Sequence, residues 1–289
     1  MGRAGPGLIE RLAAILRKNG HNLTVAPTTG PATAGPLACE HIARGADLVI
    51  AAGGDGTINE VAEGVVHSRA ALAVLPLGTA NCLAVELGLP RKPERAAEAL
   101  ESCRPRRIAA GRLLCDGGRV QRYFLLMAGA GLDAHVVYRL DAALKNRTGK
   151  FAYWVASWSL LGRRLPEFDV EIDGRKVRSS FALLSRVRNY GGDFEIASKV
   201  RLSDNNFEAV LFEGPSSLRF VKYFFGMALR RLEGMQGVTV LRTDRIQLSG
   251  PDDERVYVQI DGEFAGRLPA EVRIVPDAVM LMVPEAYGV

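Results

Sequence analysis

The sequence predicts two domains: an N-terminal α/β domain built on a parallel sheet, then a mostly antiparallel β domain. Two observations carry this. Through roughly the first hundred residues, apolar runs of strand length alternate with stretches whose apolar residues recur every three to four positions, the pattern of strands and helices wound onto one sheet. From about Arg107 that alternation stops, and short strand-like runs are separated by Asp-Gly and Gly-Gly turns, as in antiparallel hairpins. At 289 residues, 48% hydrophobic and 24% charged, the chain can bury two cores. Residues 1–106 are assigned to the first domain and 107–276 to the second, with a strand over about 277–289 expected to return to the first.

The elements follow in order. Leu8, Ile9, Leu12, Ile15 and Leu16 share one helical face, and the helix ends near Asn19-Gly20. The run "HNLTVA", residues 21–26, then reads as a strand. A helix over about 36–44, the strand "DLVIAA", a helix over about 58–66, the strand "LAVLP", and helices over 81–87 and 93–102 complete the first domain. In the second, "LLCDGGRVQRYFLL" and "FDVEIDGRKVRSSFALL" are hairpin signals. Further short runs occur at "FEAVLF", "GVTVLRTDRIQLSG", "RVYVQI", "EVRIVP" and "VMLMVP". Two helical insertions, over roughly 133–161 and 216–233, interrupt these strands.

Composition narrows the class. No stretch approaches the eighteen or so uninterrupted apolar residues of a membrane span, and the N-terminus lacks the apolar run of a signal peptide, so a cytoplasmic location is expected. Cys39, Cys82, Cys103 and Cys115 form no CxxC pair and no disulfide-like spacing, which predicts reduced thiols. A net charge of +5 suits an anionic partner such as a nucleotide or an acidic membrane surface. The basic residues are scattered and no nucleic-acid module is present, so nucleic-acid binding is not expected.

The chemistry concentrates in two loops. "DLVIAAGGDGTINEVAEGV", residues 47–65, places Gly53, Gly54, Asp55, Gly56 and Thr57 between a strand and a helix. Glycines there let backbone N–H groups approach an anion at the helix N-terminus, which makes a phosphate cradle. An acid in such a cradle is accounted for if Mg²⁺ lies between it and the phosphates; a tight βα turn with Asp55 as a helix cap accounts for the same residues. The pattern is neither GxGxxG nor the P-loop GxxxxGK[ST]. "LPLGTANCLAVELGLP" repeats strand, turn and helix one βα unit later, with Gly78-Thr79 at the turn. Open α/β sheets bind ligands at such strand ends.

Together with the late "YVQIDGEFAG", these blocks resemble the diacylglycerol kinase catalytic-domain family of lipid kinases, from about Thr28 to Pro284. The resemblance implies an α/β nucleotide-binding domain with a parallel sheet plus a mostly antiparallel β-sandwich lipid-binding domain, a fold like that of NAD kinase and diacylglycerol kinase. It implies an ATP-dependent lipid kinase that acts on a lipid such as diacylglycerol or a sphingosine-like lipid, with Mg²⁺ as cofactor. By position Thr28, Gly53, Gly54, Asp55, Gly56, Thr57, Ile58, Asn59 and Thr79 match the family's ATP-contacting residues. Glu263 falls on its catalytic base, and Asp55 is counted with it as catalytic. A structural Mg²⁺ of the family would be held by the Asp204 carboxylate and the carbonyls of Arg201 and Asn206, although Asn205 stands where the family commonly has Gly. The sequence also lacks the family's opening strand ending in Asn-Pro, and carries Cys82 where many bacterial members have Asp.

A lipid substrate has to be met at a membrane. "YRLDAALKNRTGKFAYWVASWSLLGRRLPEF" mixes Arg139, Lys145, Arg147, Lys150, Arg163 and Arg164 with Tyr153, Trp154, Trp158 and Leu160; "LRFVKYFFGMALRRLEG" has a similar mixture. Both suit peripheral contact with an anionic membrane, and equally a solvated basic rim around core aromatics. A homodimer is kept open. The alternatives to a lipid kinase are an NAD kinase-like enzyme, which shares GGDGT, and a non-catalytic lipid-binding protein derived from a kinase.

Overall fold

In a computed structural model the chain forms two compact units, residues 1–109 with 276–289, and residues 110–275. The structure describes residues 5–132, 134, 162, 164–190, 194–229, 231–251 and 256–287. Most of the predicted helical insertion over 133–161, with Arg163, lies outside the described residues.

The first unit is α/β. Strands β1 (Leu48–Gly53) and β2 (Ala71–Pro76) run parallel in register, Leu48 opposite Ala71 and Gly53 opposite Pro76. The last part of the long strand β16 (Ala270–Pro284) lies parallel to β2 on its other side, with Met280 opposite Ala71. Every residue of β2 is buried, as expected for a central parallel strand covered on both faces. Helices α1 (Pro6–Lys18) and α5 (Pro93–Ala99) bury Leu12, Leu16, Ala96 and Ala97 in one cluster with Ala73 and Leu75 of β2.

Helices α2 (Ala34–Ala43) and α3 (Asp55–Val65) cross through glycines. A methyl group at Gly64 would meet the Gly35 carbonyl oxygen at 2.5 Å, and one at Gly35 would meet the Glu60 carbonyl oxygen at 2.8 Å. The crossing therefore requires bare backbone on both helices.

The run "HNLTVA" is not a strand. Residues 21–29 form no ladder, and β1 has β2 as its neighbour at this end of the sheet. Only Leu23 packs against the core, while Asn22, Thr24, Val25 and Ala26 are exposed. One partly buried apolar side chain in six does not supply the anchored face that a half-buried strand needs. The predicted helix over 58–66 begins three residues early, at Asp55, because the glycine-rich turn itself enters the helix.

The second unit is an antiparallel β-sandwich. One sheet has the order β12-β11-β8-β5-β14-β15, from Val238–Thr243, Phe207–Phe212, Phe181–Ser185, Met127–Gly131, Tyr257–Ile260 and Glu263–Arg267. The other strands of the unit include the part of β3 (Cys103–Cys115) from Ala110 onward, whose Gly111–Cys115 pairs with β4 (Val120–Phe124). They also include β6 (Phe168–Ile172), which pairs with β7 (Arg175–Ser179) and with β13 (Arg245–Ser249). The β6–β7 hairpin turns on Asp173 and Gly174, both with positive φ, as the Asp-Gly signal predicted. The chain then leaves that hairpin at Ser180, whose N–H donates to the Phe212 carbonyl, and enters the six-stranded sheet as β8. Strands β5, β8 and β11 are buried along their whole length.

Replacing Gly64 by Val should force α2 and α3 apart and lower stability by about 1–3 kcal/mol, the usual penalty of overpacking. Chemical denaturation compared with an exposed control such as Arg44→Ala measures it.

Candidate active site

The glycine loop after β1 and the loop after β2 lie against each other at the carboxyl ends of their strands. Register brings Gly53 beside Pro76, and Leu77 donates its N–H to the Gly53 carbonyl at 2.9 Å. Beyond that bond the backbones converge. A methyl group on Gly78 would stand 2.6 Å from the Gly54 Cα and 2.8 Å from Asn81 Oδ1. A methyl group on Gly53 would strike the Thr57 side chain at 2.7 Å. These glycines are required for close approach; neither Gly53, Gly54 nor Gly78 has a positive φ.

Asp55 locks the pair of loops. Its Oδ2 accepts the Asn81 N–H at 2.9 Å and its Oδ1 accepts the Cys82 N–H at 2.6 Å, so the carboxylate sits on the first amides of α4 (Cys82–Glu86). Asn81 adds a reciprocal pair: its Oδ1 accepts from Gly78 N–H and its Nδ2 donates to the Gly78 carbonyl, each at 2.8 Å. Asn81 holds φ +50°, a left-handed conformation that asparagine tolerates better than most residues. Asp55 is therefore a cap, but of the next helix rather than its own, and the two amides account for its position in the loop. Burial pushes the Asp55 carboxyl above the ordinary carboxylate range, with the hydrogen bonds from Cys82 and Asn81 opposing that rise.

The other expected nucleotide contacts divide. Ile58 is buried in the core, so its side chain is committed to packing. Asn59 lies one turn beyond Asp55, is 2% exposed, and has neither amide atom hydrogen-bonded. A buried amide without partners is uncommon and marks a place that a further polar group can complete. Thr79 is exposed at the tip of the second loop. Thr28 is exposed on the loop of residues 21–33, which is tied to α3 by Glu60: its two carboxylate oxygens accept the N–H groups of Ala32 at 2.8 Å and Ala34 at 2.9 Å. Glu60 lies mid-way along α3, and no local signal in the sequence marks it as the anchor.

In the second unit Glu263 opens β15 opposite Ile260, half-buried, and its carboxylate makes no hydrogen bond to another described residue. What holds it is Asp261. That residue sits at φ +47°, and its carboxylate accepts three successive backbone N–H groups, Leu125 and Leu126 at 3.1 Å and Met127 at 2.8 Å. Gln259 Oε1 accepts the Gly262 N–H at 2.8 Å. The Asp-Gly turn is thus welded to the start of β5 and leaves the Glu263 carboxylate unengaged.

Residues 2–113 match the diacylglycerol kinase catalytic domain, and residues 127–283 match the YegS C-terminal NAD kinase beta sandwich-like domain. A diacylglycerol kinase of Bacillus subtilis is 32% identical over 271 residues, covering 91% of this chain and 87% of that protein. The chain belongs to the diacylglycerol kinase family. A diacylglycerol kinase of Mycobacterium tuberculosis is 27% identical over 248 residues, covering 84% of this chain and 79% of that protein. The fold also matches a crystal structure described as a diacylglycerol kinase from Bacillus anthracis, with a TM-score of 0.76 at 21% identity, covering 99% of this chain and 94% of that one.

The Asp204 region, where the sequence resemblance implied a structural cation, has a guanidinium beside the carboxylate. Asp204 Oδ2 accepts the Arg201 N–H and pairs with Arg242 Nη2, while Arg242 Nε donates to Asn206 Oδ1 at 3.2 Å. The Arg201 carbonyl in turn accepts the Asp204 N–H at 2.9 Å. One guanidinium already supplies the positive charge between Asp204 and Asn206.

The raised value of Asp55 has a signed consequence. Its folded value lies above its unfolded one, so the stability linked to it is full below the unfolded value of about 4 and is lost as pH rises through the folded value. Asp55→Asn should remove that part of the pH dependence. Denaturation midpoints of both proteins across acid to neutral pH measure it, and parallel curves would contradict it.

Proposed function

We propose that this family member transfers the γ-phosphate of ATP to the hydroxyl of a lipid such as diacylglycerol or a sphingosine-like lipid. The observation that carries the reading is the locked double loop: two strand ends, three glycines at van der Waals approach, and one carboxylate that joins them. Glycines at these strand ends let an anion approach backbone N–H groups closely. The names of the relatives, diacylglycerol kinases, supply the substrate class.

The residues take separate roles. Gly53, Gly54 and Gly56 would hold phosphates through backbone N–H groups, with the hydroxyls of Thr57 and Thr79 beside them and Thr28 on the loop that Glu60 anchors. Asp55 acts through the loop it holds, keeping Gly78 and Thr79 in register with Gly54. Among the described residues no group of three or more His, Cys, Asp or Glu side chains is placed to hold a metal, so Mg²⁺ would arrive on the nucleotide, with Asp55 the acid of these loops. Magnesium–ATP supplies the transferable phosphoryl group and neutralises its charge. Glu263, unengaged at the head of β15, would accept the proton of the lipid hydroxyl as that oxygen attacks. Asp261 positions it. Contact with the membrane that presents the lipid completes the reading.

Glu263→Gln keeps the size of the side chain and cannot take the proton. Single-turnover transfer from ATP to diacylglycerol should fall about a hundredfold to ten-thousandfold, while nucleotide binding by calorimetry stays within a few-fold of wild type. Transfer within a few-fold of wild type, or loss of ATP binding in parallel, would show that Glu263 is a turn residue and that the base lies elsewhere.

A further inference from the structure

Helix α2 is capped by a residue of another helix. Its first turn contains no acid, and the hydroxyl of Thr33, the residue just before it, donates back to the Gly30 carbonyl at 2.6 Å instead of accepting a helix amide. The first helical amide, the Ala34 N–H, goes to Glu60 Oε2 of α3 at 2.9 Å, and Glu60 Oε1 accepts the Ala32 N–H at 2.8 Å. A carboxylate on the first amides of a helix satisfies donors that the helix leaves open and lies at the positive end of its dipole. Helix α4 is treated the same way: its own cap residue Asn81 makes no side-chain bond to the helix amides, and Asp55 accepts the Asn81 and Cys82 N–H groups. Two acids of α3, five residues apart, therefore cap two other helices. The segments ahead of those helices carry Thr28 and Thr79.

The clamp of Glu60 bears on backbone that does not hold itself. Ala32 stands at φ +60°, whereas the other non-glycine residues of positive φ among the described residues are Asp, Asn and His. In that region Cβ crowds the following carbonyl, and alanine has no polar group with which to offset the cost by a local hydrogen bond. Such a conformation persists where the surroundings over-determine it. Here Glu60 accepts the N–H groups on both sides of Thr33, and the α2–α3 crossing presses Gly35 onto the Glu60 backbone, with 2.8 Å between the Glu60 carbonyl oxygen and a methyl group at Gly35. Side chain and main chain of one residue thus fix the same turn.

We infer that Glu60 is a positioning residue for nucleotide binding: by clamping residues 30–34 it holds the Thr28 segment in the conformation that receives magnesium–ATP, without touching the nucleotide itself. The inference rests on the kinase reading for what that segment receives, while the clamp rests on the hydrogen bonds alone. Charge gives it a sign. Removing a carboxylate from the helix that begins at a phosphate site tightens anion binding if charge alone is at work. Removing a carboxylate that holds a binding segment in place weakens it.

The test uses the full chain with Glu60→Gln, which keeps the size of the side chain but turns an NH₂ group toward one of the two N–H donors. The KM for magnesium–ATP should rise about tenfold, with kcat at saturating nucleotide and the KM for diacylglycerol within a few-fold of wild type. Hydrogen exchange without nucleotide should quicken over residues 27–34 and stay unchanged in β1 and β2. Adding Ala32→Asn, which accommodates a positive φ at this exposed position, should recover most of the lost affinity. Glu60→Asp, with the charge kept on a shorter arm, should shift the KM in the same direction, and it carries the test if Glu60→Gln does not fold. Unchanged or tighter magnesium–ATP binding in both Glu60 variants, unchanged exchange over residues 27–34, or no recovery by Ala32→Asn would each overturn the positioning role and leave the kinase reading standing. A wild-type protein that binds no magnesium–ATP would overturn the kinase reading and this role with it, even where exchange shows the clamp.

Discussion

The carboxylate of Asp55 ends on two backbone amides that belong to another loop, and the first unit is arranged around that contact. The parallel pairing of β1 with β2 delivers the two loops to the same level, but pairing stops at Gly53 and Pro76. Past that point nothing in the sheet prevents the loops from separating. Asp55 closes the gap with hydrogen bonds to Asn81 and Cys82, and Gly54 and Gly78 make the closure sterically allowed. A hydrogen bond to a charged group is stronger than one between neutral groups, and burial strengthens it further while making the ionised acid costly. The raised carboxyl of Asp55 shows that burial outweighs the two amides.

Asp261 repeats the device in the second unit. There too an acid beside a glycine accepts N–H groups from a segment distant in sequence, three of them at the start of β5, and a turn becomes fixed. In both units the acid of a Gly-Asp-Gly or Asp-Gly sequence is a brace, and the neighbouring residues are left for other work: the glycine amides and Thr57 in one, Glu263 in the other. Positioning of this kind matters for phosphoryl transfer, where catalysis consists mostly of placing groups and neutralising charge.

The two domains, the parallel strands and the hairpins were legible because their periods and turn residues are local properties. So was the glycine turn between β1 and α3, where the backbones of Gly54 and Gly78 come too close for a Cβ. The strand expected at residues 21–26 failed because a strand requires a neighbour and a buried face, and only Leu23 is anchored there. The partners of Asp55, Glu60 and Asp261 were not legible at all: they lie 26 to 28 residues away for the first two and 134 to 136 for the third. Nothing in a local window distinguishes such an acid from a turn former or a solvated helix residue. The pairing of Asp204 with Arg242 was not legible either, since Arg242 approaches from 38 residues downstream.

The central claim is that the close approach of Gly54 and Gly78, held by Asp55, forms the phosphate-binding surface. Gly78→Ala tests it most directly, because the added methyl group would stand 2.6 Å from the Gly54 Cα and the substitution changes no charge. Calorimetric titration with magnesium–ATP should show at least a tenfold loss of affinity, while the circular dichroism spectrum keeps the folded signature and the thermal midpoint falls as overpacking separates the loops. Unaltered ATP affinity in a folded Gly78→Ala protein would contradict the account.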